Sequence, residues 1–157
     1  MRGLTVKQPW AWAIVHGGKD VENRSRSLGP YRGLVAIHAG LGEAPLSEWT
    51  PTLHGAMADT FTDPGVMVRD VLGCRGVVIG IADLVDAHEC DWAVMDEEQM
   101  SCCLSPWAEY PPDADVWHHL TLANPRPLAR PIPWRGALGL WTVPAELEAR
   151  IREQVAL

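Results

Sequence analysis

The sequence has almost no phenylalanine or tyrosine, one Phe and two Tyr in 157 residues. Its aromatic surface is carried instead by eight Trp. Trp offers a wide stacking face and one N–H donor, so it serves both in cores and under nucleobases. Long apolar runs are also missing. The longest candidate, Val77-Val78-Ile79-Gly80-Ile81-Ala82, falls well short of the roughly 18 residues a membrane helix needs, and it reads as a buried strand. The opening residues Met1-Arg2-Gly3-Leu4-Thr5-Val6 lack the apolar stretch of a secretion signal, so a cytoplasmic protein with no membrane partner is expected. Repeats and low-complexity tracts are absent. So are the phosphate loop and the dinucleotide fingerprint.

Cysteine is scarce and badly spaced for metal. Cys74, Cys90, Cys102 and Cys103 contain no CxxC pair, and the adjacent Cys102 and Cys103 make a poor chelate. His88, Cys90, His118 and His119 could in principle complete a zinc site. Buried thiols in a reducing compartment are the better reading, so neither metal nor cofactor is expected.

Positive charge is in short supply, with 13 Lys and Arg against 20 Asp and Glu and a net charge of −7. Such a chain does not coat nucleic acid with its whole surface. The deficit is uneven, however. Residues 1–39 hold six basic side chains (Arg2, Lys7, Lys19, Arg24, Arg26, Arg32) against Asp20 and Glu22, a local charge of +4, while the rest carries −11. A basic surface on an acidic body suits a confined anionic ligand.

The length fits one domain spanning 1–157. Gly3 to Lys7 reads as a strand, Pro9 as the first turn of a helix continuing from Trp10 to His16, and Gly17-Gly18 as its stop. Lys19 to Arg24 reads as a returning strand. Period two then puts Asp20, Glu22 and Arg24 on one face and Lys19 on the other, so Glu22 and Arg24 can pair. Arg32 to Ala39 and Cys74 to Ala87 read as core strands. Residues 41–71 read as a helical insertion, with pieces at Leu46 to Trp49 and Gly55 to Phe61. Residues 89–115 read as a long acidic loop rich in Pro, Trp and Cys. Val116 to Leu122 is a further strand. Pro125, Pro127, Pro131 and Pro133 make Asn124 to Trp134 an extended crossover that cannot sit mid-sheet. Gly136 to Val143 is a closing strand, and Pro144 to Ala156 a terminal helix with acidic residues early and Arg150 and Arg152 late. Several short strands with few helices predict an α+β fold, a small mixed β-barrel.

One combination of motifs narrows this further. Thr5-Val6-Lys7-Gln8-Pro9-Trp10-Ala11-Trp12, followed by Gly18-Lys19-Asp20-Val21-Glu22-Asn23-Arg24, resembles the N-terminal signature of ASCH domains. Tyr31-Arg32-Gly33 leading into Ile37-His38-Ala39 resembles the next block. Trp117 through Pro127, then Arg135-Gly136-Ala137-Leu138-Gly139-Leu140-Trp141, resembles the closing strands. The resemblance implies a PUA-like barrel that binds RNA, another single-stranded nucleic acid or a nucleoside-like small molecule. Some members are hydrolases, including ribonucleases and a branch that deacylates N4-acetylcytidine. That branch has a Thr as its proposed nucleophile three residues after the Lys, where this sequence has Glu22, and a carboxylate does not substitute directly for a hydroxyl.

The expected binding residues are therefore Lys7, Gln8, Trp10, Lys19, Arg24 and His38. Trp10 would be the stacking plate, and Arg24, held by Glu22, a fixed fork for phosphate or a base edge. His38 on a buried strand reads more readily as a satisfied core histidine than as a catalyst. If the cleft is catalytic, Lys19 and Glu22 are the acid–base pair. A third reading makes the 89–115 loop the contact surface of a protein-interaction adaptor.

Overall fold

A computed structural model describes residues 1–91, 104–109 and 116–155. Six strands form one sheet: β1 (Arg2–Gln8), β2 (Val21–Arg24), β3 (Gly33–Glu43), β4 (Val77–Asp91), β5 (Val116–Pro133) and β6 (Leu140–Thr142), in the order β2-β5-β4-β3-β1-β6. β1 and β3 are parallel, and the other pairings are antiparallel. Helix α1 (Trp10–His16) follows β1 directly; α2 (Pro51–Thr60) and α3 (Pro64–Met67) lie between β3 and β4; α4 (Ala145–Arg152) follows β6. No described helix is long and apolar enough to cross a membrane.

The α+β expectation holds, but the sheet is not a closed barrel. β2 and β6 end the strand order and do not pair with each other. β6 reaches only Arg2 to Leu4 of β1. Past that point a side chain spans the gap, since Arg24 on β2 donates to the carbonyl of Thr5 on β1 at 2.9 Å.

β3 explains its own composition. Val35 and Ile37 pack into the cluster around Leu4, Ile14 and Leu120, while Ala36 packs on the other face against Ile81, Leu147 and Ile151 of α4. A strand buried on both faces needs a continuous apolar run rather than an alternation. A third cluster joins Trp12, Ala13 and Val21 to Leu53 and Met57 of α2 and to Val71 and Trp107. Within the 41–71 segment, residues 41–43 still belong to β3, and helical turns follow at Leu46–Glu48, Pro51–Thr60, Pro64–Met67 and Val68–Leu72. Thr50 caps α2 by accepting from the N–H of Leu53 at 3.2 Å.

Several boundaries differ from expectation for physical reasons. β2 starts at Val21, because the Lys19 N–H is still held by the Ala13 carbonyl of α1 at 2.9 Å. Pro9 precedes α1 as its cap residue rather than lying in its first turn. The proline-rich stretch from Asn124 is not a crossover outside the sheet but the second half of β5. β2 pairs with β5 only from His118 to Thr121, so beyond that point β5 pairs with β4 alone. Missing proline N–H groups are tolerated on such an edge, and register shifts and Asn124, at φ 49°, absorb the bend. β4 extends to Asp91, while β6 and α4 are shorter than read. Most of the 89–115 loop lies outside the described residues.

Gln8 anchors this frame. Its amide is 1% exposed, donates to the Cys74 carbonyl at 2.9 Å and accepts from the Trp12 N–H at 3.0 Å. It thereby satisfies a donor in the first turn of α1 that has no intrahelical partner. Gln8→Leu keeps the volume and orphans both groups. Urea denaturation is expected to show a loss of about 1–3 kcal/mol for each buried group left unpaired.

Candidate functional site

The turn after α1 builds the centre of the site. Gly18, at φ +75°, takes a left-handed backbone that glycine adopts freely and releases the chain from the helix. Lys19 then turns inward, 3% exposed. Its Nζ lies 5.0 Å from the centre of the Trp10 ring and 5.6 Å from that of Trp107, within cation–π range of both. Glu22 Oε2 is 3.9 Å from the same amine. Because Lys19 precedes the strand, the alternation that would have turned it away from Glu22 does not apply.

Glu22, itself buried, holds a second cation. Its Oε1 is 3.1 Å from Arg24 NH2, the pair expected from their shared strand face. Burial pushes the Lys19 amine below its ordinary range; Glu22, Glu109 and Asp20 oppose that shift and Arg24 adds to it. A neutral lysine is thus more accessible here than on a surface.

A cavity of about 710 Å³ opens over this group. Trp10, Trp49 and Trp117 line it, with Lys19, Glu22, Asn23, Glu48 and Glu109. The buried Trp117 indole N–H has no hydrogen-bond partner among the described residues. Asn23 fixes the far wall by donating to the Trp107 carbonyl at 2.9 Å and accepting from the Glu109 N–H at 3.1 Å. Ser105 also donates to Asp20. Burial raises the Glu109 carboxyl above its ordinary value, against the pull of Lys19.

A smaller hollow of about 370 Å³ shares the wall formed by Trp10, Glu22 and Asn23, and adds Lys7, Arg24 and Leu138. Of the expected binding residues, Lys7, Trp10, Lys19 and Arg24 therefore meet around two adjoining hollows. Gln8 and His38 do not. Gln8 is spent inside the frame. His38 borders a different cavity with Trp134 and Gly136, where its Nε2–H donates to the Trp134 carbonyl at 3.0 Å and burial lowers its pKa. Sequence reasoning missed Asn23, Trp49, Glu109 and Trp117. The one available signal was the excess of Trp.

No family model matches the sequence. Solved structures do match over nearly its whole length. An ASCH protein from Zymomonas mobilis aligns at 18% identity and a TM-score of 0.55, covering 97% of this chain and 93% of that one. Two single-substitution mutants of the same protein align at 18% identity, with TM-scores of 0.55 and 0.54 over 96% and 94% of their chains. The fold is that of an ASCH domain. The mixed α+β fold expected from the motifs is present, but the expected barrel is not, since β2 and β6 end the strand order without pairing. Lys19 and Glu22 border the larger hollow beside Trp10 of α1 and Asn23 of β2, and Arg24 borders the smaller one.

Two outcomes test the electrostatics. Glu22→Gln leaves two cations near a neutral amide in a buried site and is expected to cost about 3–5 kcal/mol. Adding Lys19→Met should restore part of that loss, as read by chemical denaturation. For Glu109 the folded pKa lies above the ordinary 4.5. Its contribution to stability is therefore complete below that value and declines as pH rises through the folded pKa. Glu109→Gln should abolish this decline in a pH series of melting temperatures.

Proposed function

We propose that the cleft binds a single nucleobase, presented on RNA or another single strand or as a free nucleotide. The observation that carries this is the buried Lys19 amine set against tryptophan rings and beside a carboxylate, under a cavity of nucleoside size. Ligand pockets typically span about 300–1,000 Å³, and this one measures about 710 Å³. Trp10 is the proposed stacking plate. Three carboxylates, Glu22, Glu48 and Glu109, line the larger hollow and disfavour a phosphate there. They suit the donor groups of a base edge, while Lys19 and the Trp117 N–H suit its acceptors. A phosphate fits better in the smaller hollow, beside Lys7 and Arg24. The cytoplasmic setting expected from the sequence belongs to this proposal.

A second reading, a small hydrolase acting on RNA or a modified nucleoside, is favoured by one observation. Lys19 combines a lowered pKa with a carboxylate oxygen at 3.9 Å. Such a pair can exchange a proton during turnover, with Glu22 in place of the threonine of the deacylating branch.

The test is titration of short RNA and DNA strands and of free nucleosides against the wild type, Trp10→Ala and Lys7→Ala, across a salt series. Trp10→Ala should weaken binding by about 1–3 kcal/mol. Lys7→Ala should flatten the salt dependence by about 0.7 in log–log slope, one phosphate on a single strand. Binding of nucleosides alone, without salt dependence, would restrict the ligand to a free small molecule. Binding of none of them would sink the proposal. Hydrolysis lost in a folded Lys19→Ala variant would establish the second reading.

A further inference from the structure

Behind the cleft, β4 and β5 bring together three ligating side chains that are far apart in sequence. His88 and His119 face each other across the ladder, and Cys90 lies two residues beyond His88 on the same strand face. One ligand atom from each residue lies within 4.8 Å of the other two. His118 is not part of the group, since it alternates to the other face of β5.

We propose that His88, Cys90 and His119 form a zinc site. One thiolate and two imidazoles are a ligand set that zinc favours. Zinc–sulfur bonds of about 2.3 Å and zinc–nitrogen bonds of about 2.1 Å place tetrahedral ligands about 3.6 Å apart. Cys90 Sγ and His119 Nδ1 are already 3.3 Å apart. The surrounding partners set each imidazole for ligation. His119 Nε2 donates to the Glu109 carbonyl at 3.1 Å, so Nδ1, the nitrogen facing Cys90, is the basic one. His88 Nδ1 is 2.7 Å from Asp86 Oδ2, so Nε2 is the ligating nitrogen. A carboxylate behind one histidine and a backbone carbonyl behind the other are the outer partners that metal-binding imidazoles require. The site also has an entry path. His88 is partly exposed at 25%, while Cys90 and His119 are buried. On binding, the Cys90 thiol releases its proton to solvent and a water completes the tetrahedron.

The consequence reaches the cleft. His119 holds the carbonyl of Glu109, whose side chain lines the cavity. A metal on Nδ1 fixes that imidazole and stiffens the wall from behind, a role separate from nucleobase binding.

The full chain, stripped with chelator, is titrated with zinc chloride and with cobalt chloride. One equivalent of cobalt should give the visible bands of a tetrahedral site and a near-ultraviolet thiolate-to-cobalt band, and zinc should displace it. Zinc should also raise the melting temperature. The charge-transfer band should vanish in Cys90→Ser and persist when Cys74, Cys102 and Cys103 are all changed to serine. Asp86→Asn alters a half-exposed carboxylate and leaves the buried residues untouched. It should weaken zinc by about 10- to 100-fold, while the metal-free protein loses no more than the small stability contribution of the exposed Arg32–Asp86 pair. A band that survives Cys90→Ser, or no band at stoichiometric cobalt, would overturn the assignment. So would zinc affinity indifferent to Asp86→Asn.

Discussion

One carboxylate, that of Glu22, holds the site together. It is buried and lies between two cations, Lys19 at 3.9 Å and Arg24 at 3.1 Å. None of the three charges could be buried alone without losing several kcal/mol of solvation. Together they also do structural work, because the Arg24 guanidinium extends to the Thr5 carbonyl where β6 no longer covers β1. Glu22 orients Arg24, and Arg24 in turn ties β2, one end of the open sheet, to β1. The cleft is therefore no addition to the frame, and disturbing its charge disturbs the fold.

This arrangement changes the meaning of the N-terminal charge excess. The first 39 residues carry +4, which as a sequence suggested a surface for phosphates. In the structure much of that charge is already engaged. Lys19 and Arg24 share Glu22, and Arg32 reaches Asp86 and the Ala87 carbonyl. Lys7, exposed at the smaller hollow, is the cation best placed for an incoming phosphate. A protein of net charge −7 with so little uncommitted positive charge at its cleft would make few phosphate contacts. Under the nucleobase proposal, stacking and base-edge hydrogen bonds would then have to supply most of the affinity, and the tryptophans of this site outnumber its lysines accordingly.

What the sequence revealed and what it hid divide along contact range. The Glu22–Arg24 pair follows from period two within four residues. The position of Lys19 does not, because a hydrogen bond back to Ala13 delays the strand, and strand alternation cannot anticipate a helix end that keeps hold of the next turn. The prolines after Asn124 were a sound signal for an edge, but they do not forbid a strand whose other neighbour has already ended. Asn23, Trp49, Glu109 and Trp117 were illegible for a different reason. Asn23 and Glu109 meet across 86 residues of chain, and nothing in the local pattern of either one names the other. His88, Cys90 and His119 are also a product of register. They lack a chelating spacing in sequence and acquire one only when β4 and β5 pair.

Glu109 is where these layers converge. Its backbone N–H is held by Asn23 from β2 and its carbonyl by His119 from β5, so the residue is pinned from both sides while its carboxyl is left to the cavity. A carboxyl partly withdrawn from water, held by its own backbone and facing a buried lysine, has little freedom to adapt to its ligand. Its protonation can still adapt, since burial favours the neutral acid and Lys19 favours the anion. A base edge that offers a donor would shift that balance one way and one that offers an acceptor the other. Under the nucleobase proposal, selectivity in this cleft would come from a proton on Glu109 rather than from movement of the wall.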